Sequence, residues 1–134
     1  MKAIPPLQKF MTVNPHTVNA DLSLRTAQKL MDEHHIRHLP VLRAGKVVGL
    51  LSDRDITFVS AMTTINLDET TIEQAMTEKP YLTNPNAALD EVAMEMAEHK
   101  YGSAVVVDNG KVVGIFTTVD AMRALAELLK TRLH

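Results

Sequence analysis

The sequence predicts an α+β fold built from two copies of a β-α-β-β-α unit. Three features predict it: a duplication in the sequence, apolar residues at helical spacing within each copy, and two apolar runs around a tight turn in each copy. When the 134-residue sequence is shifted by 65 positions, residues 11–56 align with residues 76–121 without a gap and are identical at 15 of 46 positions. The identities include the run Gly-Lys-Val-Val-Gly, which begins at Gly45 and again at Gly110. The chain is therefore a tandem repeat.

The first half of each copy predicts a short strand followed by a helix. A Met-Thr pair and a proline precede an extended segment, which is Thr17–Val18 in the first copy and Leu82–Thr83 in the second. Short polar side chains cap helices well, so Asp21 or Ser23 marks the first helix start and Asn86 the second. The apolar face of each helix recurs at helical spacing: Leu24, Ala27, Leu30 and Met31, then Leu89, Val92, Ala93 and Met96.

The second half of each copy predicts a β-hairpin followed by a closing helix. In the second copy, Asn109-Gly110 lies between β-branched runs, and both residues tolerate the positive φ that a two-residue hairpin turn requires. The expected first residues of the closing helices are good capping residues: Ser52 or Asp53, then Thr117 or Thr118. The last closing helix carries an apolar face: Met122, Leu125, Leu129 and Leu133.

The duplication also predicts the domain organisation. The first repeat is expected at 5–62, a linker at 63–75 and the second repeat at 76–134. A unit of about 60 residues rarely buries enough apolar surface alone. The two repeats are therefore expected to pack around a pseudo-twofold axis into one bilobed module.

Composition excludes several classes of protein. The chain has no cysteine, so it forms no disulfide and no thiolate site. Its net charge is −2 and its basic residues are scattered, so nucleic acid is not an expected partner. No apolar run is long enough to span a bilayer, and two prolines interrupt the start where a signal peptide needs an apolar helix. A cytoplasmic location without membrane contact is expected.

Catalytic and metal-binding motifs do not stand out. Nucleophile elbows, phosphate-binding glycine loops and HExxH are absent, so no enzymatic activity is expected. His34 and His38 have the i, i+4 spacing of a metal-binding pair. However, Leu39-Pro40 follows at once, and a residue before proline resists helical geometry. The helix is expected to end near His35, which leaves no metal site.

The junction between the last strand and the closing helix is the most informative motif. A hydroxyl residue precedes an aspartate by three positions in both copies, as Ser52 with Asp55 and Thr117 with Asp120. These residues fit a helix cap and a first-turn carboxylate. They equally fit a phosphate or ribose site, because free N–H groups bind phosphate and a carboxylate accepts hydrogen bonds from a vicinal diol. The sequence leaves both interpretations open.

These motifs resemble a tandem pair of cystathionine-β-synthase (CBS) domains over about residues 5–130. The resemblance implies a Bateman module that binds adenine nucleotides or related adenosyl ligands in clefts between the repeats. It implies that Asp55 and Asp120 hold ribose hydroxyls, with Ser52 and Thr117 near ribose and phosphate. It places adenine against residues 13–17 and 36–39 in one cleft and 79–83 and 101–104 in the other, which include Thr17 and Thr83.

The two copies differ in charge around this motif. Arg37 and His38 precede Leu39-Pro40, where the family resemblance implies phosphate-binding residues, whereas the second copy has Gly102 and Ser103. We therefore expect unequal clefts, of which the first suits a charged nucleotide.

The resemblance implies a stand-alone, non-catalytic sensor with adenine nucleotide as its regulatory ligand and no other cofactor. A homodimer acting on a separate, unidentified partner protein is expected. Two alternatives stay open. One is a ligand-silent dimeric scaffold, in which Tyr81, Tyr101 or Phe116 fills the clefts. The other is a module that binds S-adenosylmethionine or a similar adenosyl ligand.

Overall fold

The computed structural model describes residues 3–132, and these form both predicted β-α-β-β-α units together with a short strand, a short helix and a 3-10 turn that the sequence did not predict. After a 3-10 turn at Leu7–Lys9, the elements are β1 (Thr12–Val13), β2 (Val18–Asn19), α1 (Leu24–His34), β3 (His38–Arg43), β4 (Lys46–Ser52), α2 (Asp53–Ser60), α3 (Ile72–Ala75), β5 (Leu82–Thr83), α4 (Leu89–His99), β6 (Ser103–Asp108), β7 (Lys111–Thr117) and α5 (Thr118–Arg132). The series β2-α1-β3-β4-α2 and β5-α4-β6-β7-α5 are the two copies of the unit. The predicted α+β fold class is confirmed.

The chain divides into two compact units whose boundaries differ from those of the sequence repeats. The first-repeat unit comprises residues 16–80, and the described part of the second-repeat unit comprises residues 3–15 and 81–132. The repeat boundaries 5–62, 63–75 and 76–134 follow the duplication instead. They differ because residues 3–15 pack with the second repeat, while the segment 63–75 contains α3, whose Ile72 is buried in the core of the first.

The first-repeat unit contains a three-stranded sheet in the order β2-β3-β4. Strand β2 runs parallel to β3, and β3 and β4 form an antiparallel hairpin. Its turn is Ala44–Gly45, with positive φ at both residues. The core draws on α1, α2, α3 and the sheet: Val18, Ala20, Leu24, Ala27, Met31, Leu39, Val41, Leu51, Ile56 and Ile72.

The second-repeat unit contains a four-stranded sheet in the order β1-β7-β6-β5. The hairpin turn between β6 and β7 is Asn109–Gly110, with φ of 52° and 77°, as the Asn-Gly signal predicts. Its core consists of the following buried residues: Leu7, Leu89, Val92, Met96, Ala104, Val106, Phe116 and Ala124.

The Met-Thr segment before each repeat packs against a glycine in the second strand of a β-hairpin. Strand β1 pairs antiparallel with β7, so the start of the first repeat belongs to the sheet of the second. Met11 lies against Gly114, and Met76 lies in the same way against Gly49. A Cβ at either glycine would overlap the methionine sulfur, which explains why the repeated run ends in glycine.

Helix α1 begins and ends where the sequence predicts. Ser23 is its N-cap, and the Ser23 Oγ accepts a hydrogen bond from the Thr26 N–H at 3.2 Å. The helix ends at His34, and His35 adopts a left-handed conformation with φ of 53°. His38 lies in β3, so His34 and His38 do not share a helical face.

The predicted start of the second helix at Asn86 is wrong. Helix α4 begins at Leu89, and its N-cap is Ala88, which offers no side-chain cap. Instead the Asn86 N–H donates a hydrogen bond to Asn84 Oδ1 at 2.9 Å. Asparagine favours such local turns, and here the turn precedes the helix.

Helix α5 presents part of its predicted apolar face to solvent. Met122, Leu125 and Leu129 are exposed, whereas Leu133 lies outside the described residues. Within residues 3–132, no helix combines the length and apolar character needed to cross a membrane.

Candidate functional site

Ser52 and Asp55 connect β4 to α2 in the first-repeat unit. Ser52 Oγ accepts a hydrogen bond from the Asp55 N–H at 3.1 Å, and Asp55 Oδ2 accepts one from the Ser52 N–H at 2.9 Å. This reciprocal capping box confirms their predicted role as helix caps. Among the residues the structure describes, none donates a hydrogen bond to Asp55 Oδ1. One carboxylate oxygen is therefore free to accept from a ligand.

His38 lies directly opposite Ser52 in the β3–β4 hairpin. Burial lowers the pKa of His38 below its ordinary value of 6.5, while the carboxylates of Asp53 and Asp55 oppose this shift. The His38 imidazole is therefore mainly neutral at pH 7. An anion bound beside it would raise this pKa and favour the charged, donating form.

Arg37, for which the resemblance implies a phosphate-binding role, lies beside Asp53. It lines a pocket of about 440 Å³ together with Asp53 and Thr57, and neither Ser52 nor Asp55 lines that pocket. The Arg37 backbone carbonyl also accepts a hydrogen bond from the Asp53 N–H at 2.9 Å. The structure thus brings His38, Ser52 and Asp55 together and places Arg37 at the edge of this group.

Thr17 and Thr83 lie at the short first strand of each repeat. Thr17 directly precedes β2 and is half-buried, and no hydrogen bond within residues 3–132 joins it to Ser52 or Asp55. Thr83 ends β5 and pairs with Val106 of β6. Both threonines are therefore placed by the short first strand of their repeat.

Thr117 and Asp120 form the corresponding group in the second-repeat unit, but its carboxylate is fully engaged. Asp120 is only 4% exposed. Its Oδ2 accepts hydrogen bonds from the Thr117 N–H at 2.9 Å and the Thr117 hydroxyl at 3.1 Å. The Thr12 hydroxyl lies 3.1 and 3.2 Å from the two carboxylate oxygens, and Arg123 lies 3.4 Å from Oδ1. Both oxygens of Asp120 therefore already have protein partners, unlike those of Asp55.

Ser103 faces Thr117 across the β6–β7 hairpin, at the position that His38 occupies in the first repeat. It is 2% exposed, and its hydroxyl has no hydrogen-bond partner within the described part of the chain. A buried hydroxyl without a partner is unusual and marks a place where a bound molecule would supply one.

Aromatic residues of the second-repeat unit lie in two different environments. Tyr81 and Tyr101 stack with their ring centroids 5.4 Å apart, and Tyr101 also stacks on His99. Phe116 is fully buried and packs in the core of this unit. Phe116 is therefore a core residue, whereas Tyr81 is half-buried and Tyr101 is exposed.

The role of Thr12 was missed by the sequence analysis. Thr12 and Thr77 are identical under the 65-residue shift, which was the available signal. Nothing local, however, connects Thr12 to Asp120, because the contact spans 108 positions and depends on β1 joining the sheet of the second repeat.

The repeated β-α-β-β-α unit, with a hydroxyl residue and an aspartate at each closing helix, defines a tandem-repeat α+β protein with one candidate site in each repeat. The family model for the CBS domain matches the chain twice, at residues 7–61 and 71–127. The chain belongs to the CBS domain family and is a CBS domain pair.

Similar sequences occur both alone and within larger proteins. The CBS domain-containing protein YhcV of Bacillus subtilis is 31% identical over 111 residues, which cover 82% of this chain and 78% of YhcV. The L-aspartate semialdehyde sulfurtransferase of Methanocaldococcus jannaschii is 32% identical over 119 residues, which cover 87% of this chain and 22% of that protein. This chain therefore spans only about a fifth of the sulfurtransferase.

Solved structures of similar chains share the whole fold. A Vibrio cholerae protein assigned to acetoin utilization (AcuB) matches with a TM-score of 0.86 and 30% identity over 97% of this chain and 96% of its own. The CBS domain pair of MJ0100, in complex with 5′-methylthioadenosine and S-adenosyl-L-methionine, matches with a TM-score of 0.84 and 29% identity over 93% of this chain and 98% of its own. CBSX2 in complex with AMP matches with a TM-score of 0.82 and 25% identity over 92% of this chain and 98% of its own.

Proposed function

We propose that this chain is a non-catalytic regulatory module whose first-repeat unit binds an anionic adenine nucleotide. The free oxygen of Asp55 carries this proposal. A ribose diol donates hydrogen bonds to such an oxygen, as it does to acidic residues in other nucleotide-binding folds. Ser52 lies at the adjoining helix start, where backbone N–H groups favour phosphate.

Positive charge supports an anionic ligand in the first-repeat unit. His38 lies opposite Ser52, and although burial lowers the pKa of His38, a neighbouring phosphate would raise that pKa and favour the charged, donating form. The equivalent positions of the second repeat lack cationic side chains. The contrasting pairs are Arg37 with Gly102, His38 with Ser103, and Arg54 with Val119.

The second-repeat unit fits a less anionic adenosyl ligand. Asp120 is already hydrogen-bonded on both oxygens, so a ribose would have to displace Thr12 or Arg123. The Ser103 hydroxyl offers a neutral partner in the same hairpin. The MJ0100 pair holds 5′-methylthioadenosine and S-adenosyl-L-methionine, which are ligands of this kind. We therefore propose unequal sites, with the nucleotide bound more tightly by the first-repeat unit.

Matched aspartate variants test this assignment. Calorimetric titration with AMP, ADP, ATP, S-adenosylmethionine and methylthioadenosine is compared for the wild type, Asp55→Asn and Asp120→Asn. Loss of a hydrogen bond to a charged group costs about 1.5–3 kcal/mol, or roughly 10- to 150-fold in affinity. We expect this loss for AMP in Asp55→Asn and a much smaller change in Asp120→Asn. Equal AMP affinity in the wild type and Asp55→Asn would restrict Asp55 to its capping role.

A ligand-silent scaffold is the alternative. It predicts that none of these compounds raises the thermal midpoint, even at millimolar concentration. A ligand present at 100 times its Kd should add about 2.7 kcal/mol to the stability of the folded protein. The absence of any shift would contradict the sensor function and favour protein partners. As a sensor, the chain would act on a separate protein, with the ligand as the signal.

A further inference from the structure

Three potential metal ligands lie in the last turn of α4, in the second-repeat unit. Glu95, Glu98 and His99 are spaced i, i+3 and i+4, so they share one face of the helix. One ligand atom from each lies within 4.8 Å of the others. His99 Nε2 and Glu95 Oε1 are 3.0 Å apart. Neighbouring ligand atoms around tetrahedral Zn²⁺ are about 3.4 Å apart, since its bonds are about 2.0–2.2 Å long.

The carboxylates of this group lie in an unfavourable electrostatic environment. The C-terminal end of a helix carries partial negative charge, which disfavours Glu95 and Glu98 there. Glu91, four residues before Glu95, adds like-charge repulsion on the same face. Within residues 3–132, the ion pair that these glutamates form is Glu95 with His99, and no lysine or arginine pairs with them. A bound cation would relieve this repulsion.

Ring stacking fixes the orientation of the imidazole. The rings of His99 and Tyr101 stack at a centroid distance of 5.1 Å and an angle of 17°, and Tyr101 stacks in turn on Tyr81. Burial raises the pKa of Tyr81, and the Glu95 carboxylate raises it further, as expected for a negative charge near this stack. A ligand that is already oriented loses less conformational freedom when metal binds.

The first repeat provides an incomplete copy of the group. Under the 65-residue shift, Glu98 and His99 correspond to Glu33 and His34, whereas Glu95 corresponds to Leu30. The complete set is therefore specific to the second repeat.

We propose that Glu95, Glu98 and His99 bind one divalent transition-metal cation, with Zn²⁺ the best fit. One imidazole with carboxylate oxygens is a donor set that zinc accepts, and water would complete its coordination. The cation would bind His99 Nε2 and lie between it and Glu95 Oε1, which are now in direct contact. It would neutralise the charge at the end of α4 and hold His99 against Tyr101.

Titration of tag-free protein with zinc chloride at pH 7.5 tests the proposal. Calorimetry should show one Zn²⁺ per chain. Glu95→Leu, which introduces the residue of the first repeat, and His99→Gln should each weaken binding about tenfold or more. The matched variants Glu33→Gln and His34→Gln should bind as the wild type does. Circular dichroism of the metal-free variants checks that the fold is intact.

Tyrosine fluorescence provides a second readout. The chain has two tyrosines and no tryptophan, and both tyrosines lie in the stack with His99. Co²⁺ bound at His99 should quench this emission in the wild type and in His34→Gln, but not in His99→Gln. Zinc binding that is lost in His34→Gln and kept in His99→Gln would place the metal in the first repeat and overturn the proposal. No binding at 100 µM Zn²⁺ would also overturn it.

Discussion

Ala44 and Asn109 occupy the same position in the two hairpin turns, with the same φ of 52°. This left-handed conformation costs about 1–2 kcal/mol for most residues, but asparagine tolerates it. We predict that Ala44→Asn stabilises the protein by about 0.5–1 kcal/mol, measured by urea denaturation. Ala44 is exposed, so the substitution has room.

The opposite substitution in the second repeat is the control for this prediction. Asn109→Ala should lower the free energy of unfolding by a similar amount, because the backbone conformation is the same. If Ala44→Asn is neutral while Asn109→Ala is destabilising, the asparagine acts through a local side-chain interaction rather than through φ.

His38 should make the stability of the protein depend on pH. Its pKa is lowered in the folded state from the ordinary value of 6.5, so the unfolded chain binds more protons in that range. The stability that neutral His38 contributes is fully present above pH 6.5 and is lost as the pH falls through its lowered pKa. The thermal midpoint from pH 8 to 5 should therefore fall more steeply in the wild type than in His38→Gln. Parallel curves would mean that His38 titrates normally.

At the scale of secondary-structure elements, Asp120 connects three of them. Its carboxylate accepts hydrogen bonds from Thr12 in β1 and from Thr117 at the end of β7, and it lies in the first turn of α5. We predict that Asp120→Asn costs about 1–3 kcal/mol of stability, because a buried charged acceptor is lost. Asp55→Asn should cost only about 0.3–1 kcal/mol, because the asparagine oxygen can still accept from the Ser52 N–H and only the charge at the helix start is lost. Chemical denaturation of both variants measures the difference.

Hydrogen exchange distinguishes the loss of the contact between Asp120 and β1 from a general loss of stability. If Asp120 holds β1 in place, the Asn14 N–H, which donates to the Val113 carbonyl, should exchange faster in Asp120→Asn than the amides of β6 do. Uniform acceleration across the sheet would contradict a specific role for Asp120 in β1.

The elements that the sequence predicts well are those that depend on neighbouring residues. Helical periodicity, the Ser23 cap and the Asn109–Gly110 turn are local, and each appears as expected. Asn86 was mistaken for a cap because it forms a different local turn with Asn84. Strand β1 could not be assigned to the second repeat, because a two-residue strand has no periodicity and its partners lie about 100 positions away.

For the candidate site, the sequence predicts the two hydroxyl–aspartate pairs and a charge difference around them, but not the contacts that each carboxylate makes. The Ser52–Asp55 and Thr117–Asp120 pairs look equivalent in the sequence, and both form caps. Their distinction depends on Thr12 and Arg123, which contact Asp120 but have no matching contact at Asp55 among the described residues. The difference between the two carboxylates therefore becomes visible only in the folded structure.

At the scale of the whole molecule, the exposed apolar face of α5 predicts self-association. Val119, Met122, Leu125 and Leu129 are 58%, 64%, 49% and 50% exposed and follow helical spacing. Contiguous apolar surface of this kind usually marks a protein interface. We predict that the wild type sediments as a homodimer, with twice the chain mass of 14.8 kDa. Leu125→Glu should shift it to monomer, because burying an unpaired carboxylate at an interface is costly.

A control variant on the same helix tests whether Leu125→Glu acts at an interface or only through the change in net charge. Lys130→Gln lowers the net charge by one, as Leu125→Glu does, but Lys130 lies outside the row of apolar residues. The Lys130→Gln variant should remain dimeric in sedimentation equilibrium over a hundredfold range of protein concentration. A wild type that is monomeric throughout this range would exclude α5 as a homodimer interface. The exposed face would then be open to the separate protein that this CBS pair is proposed to regulate.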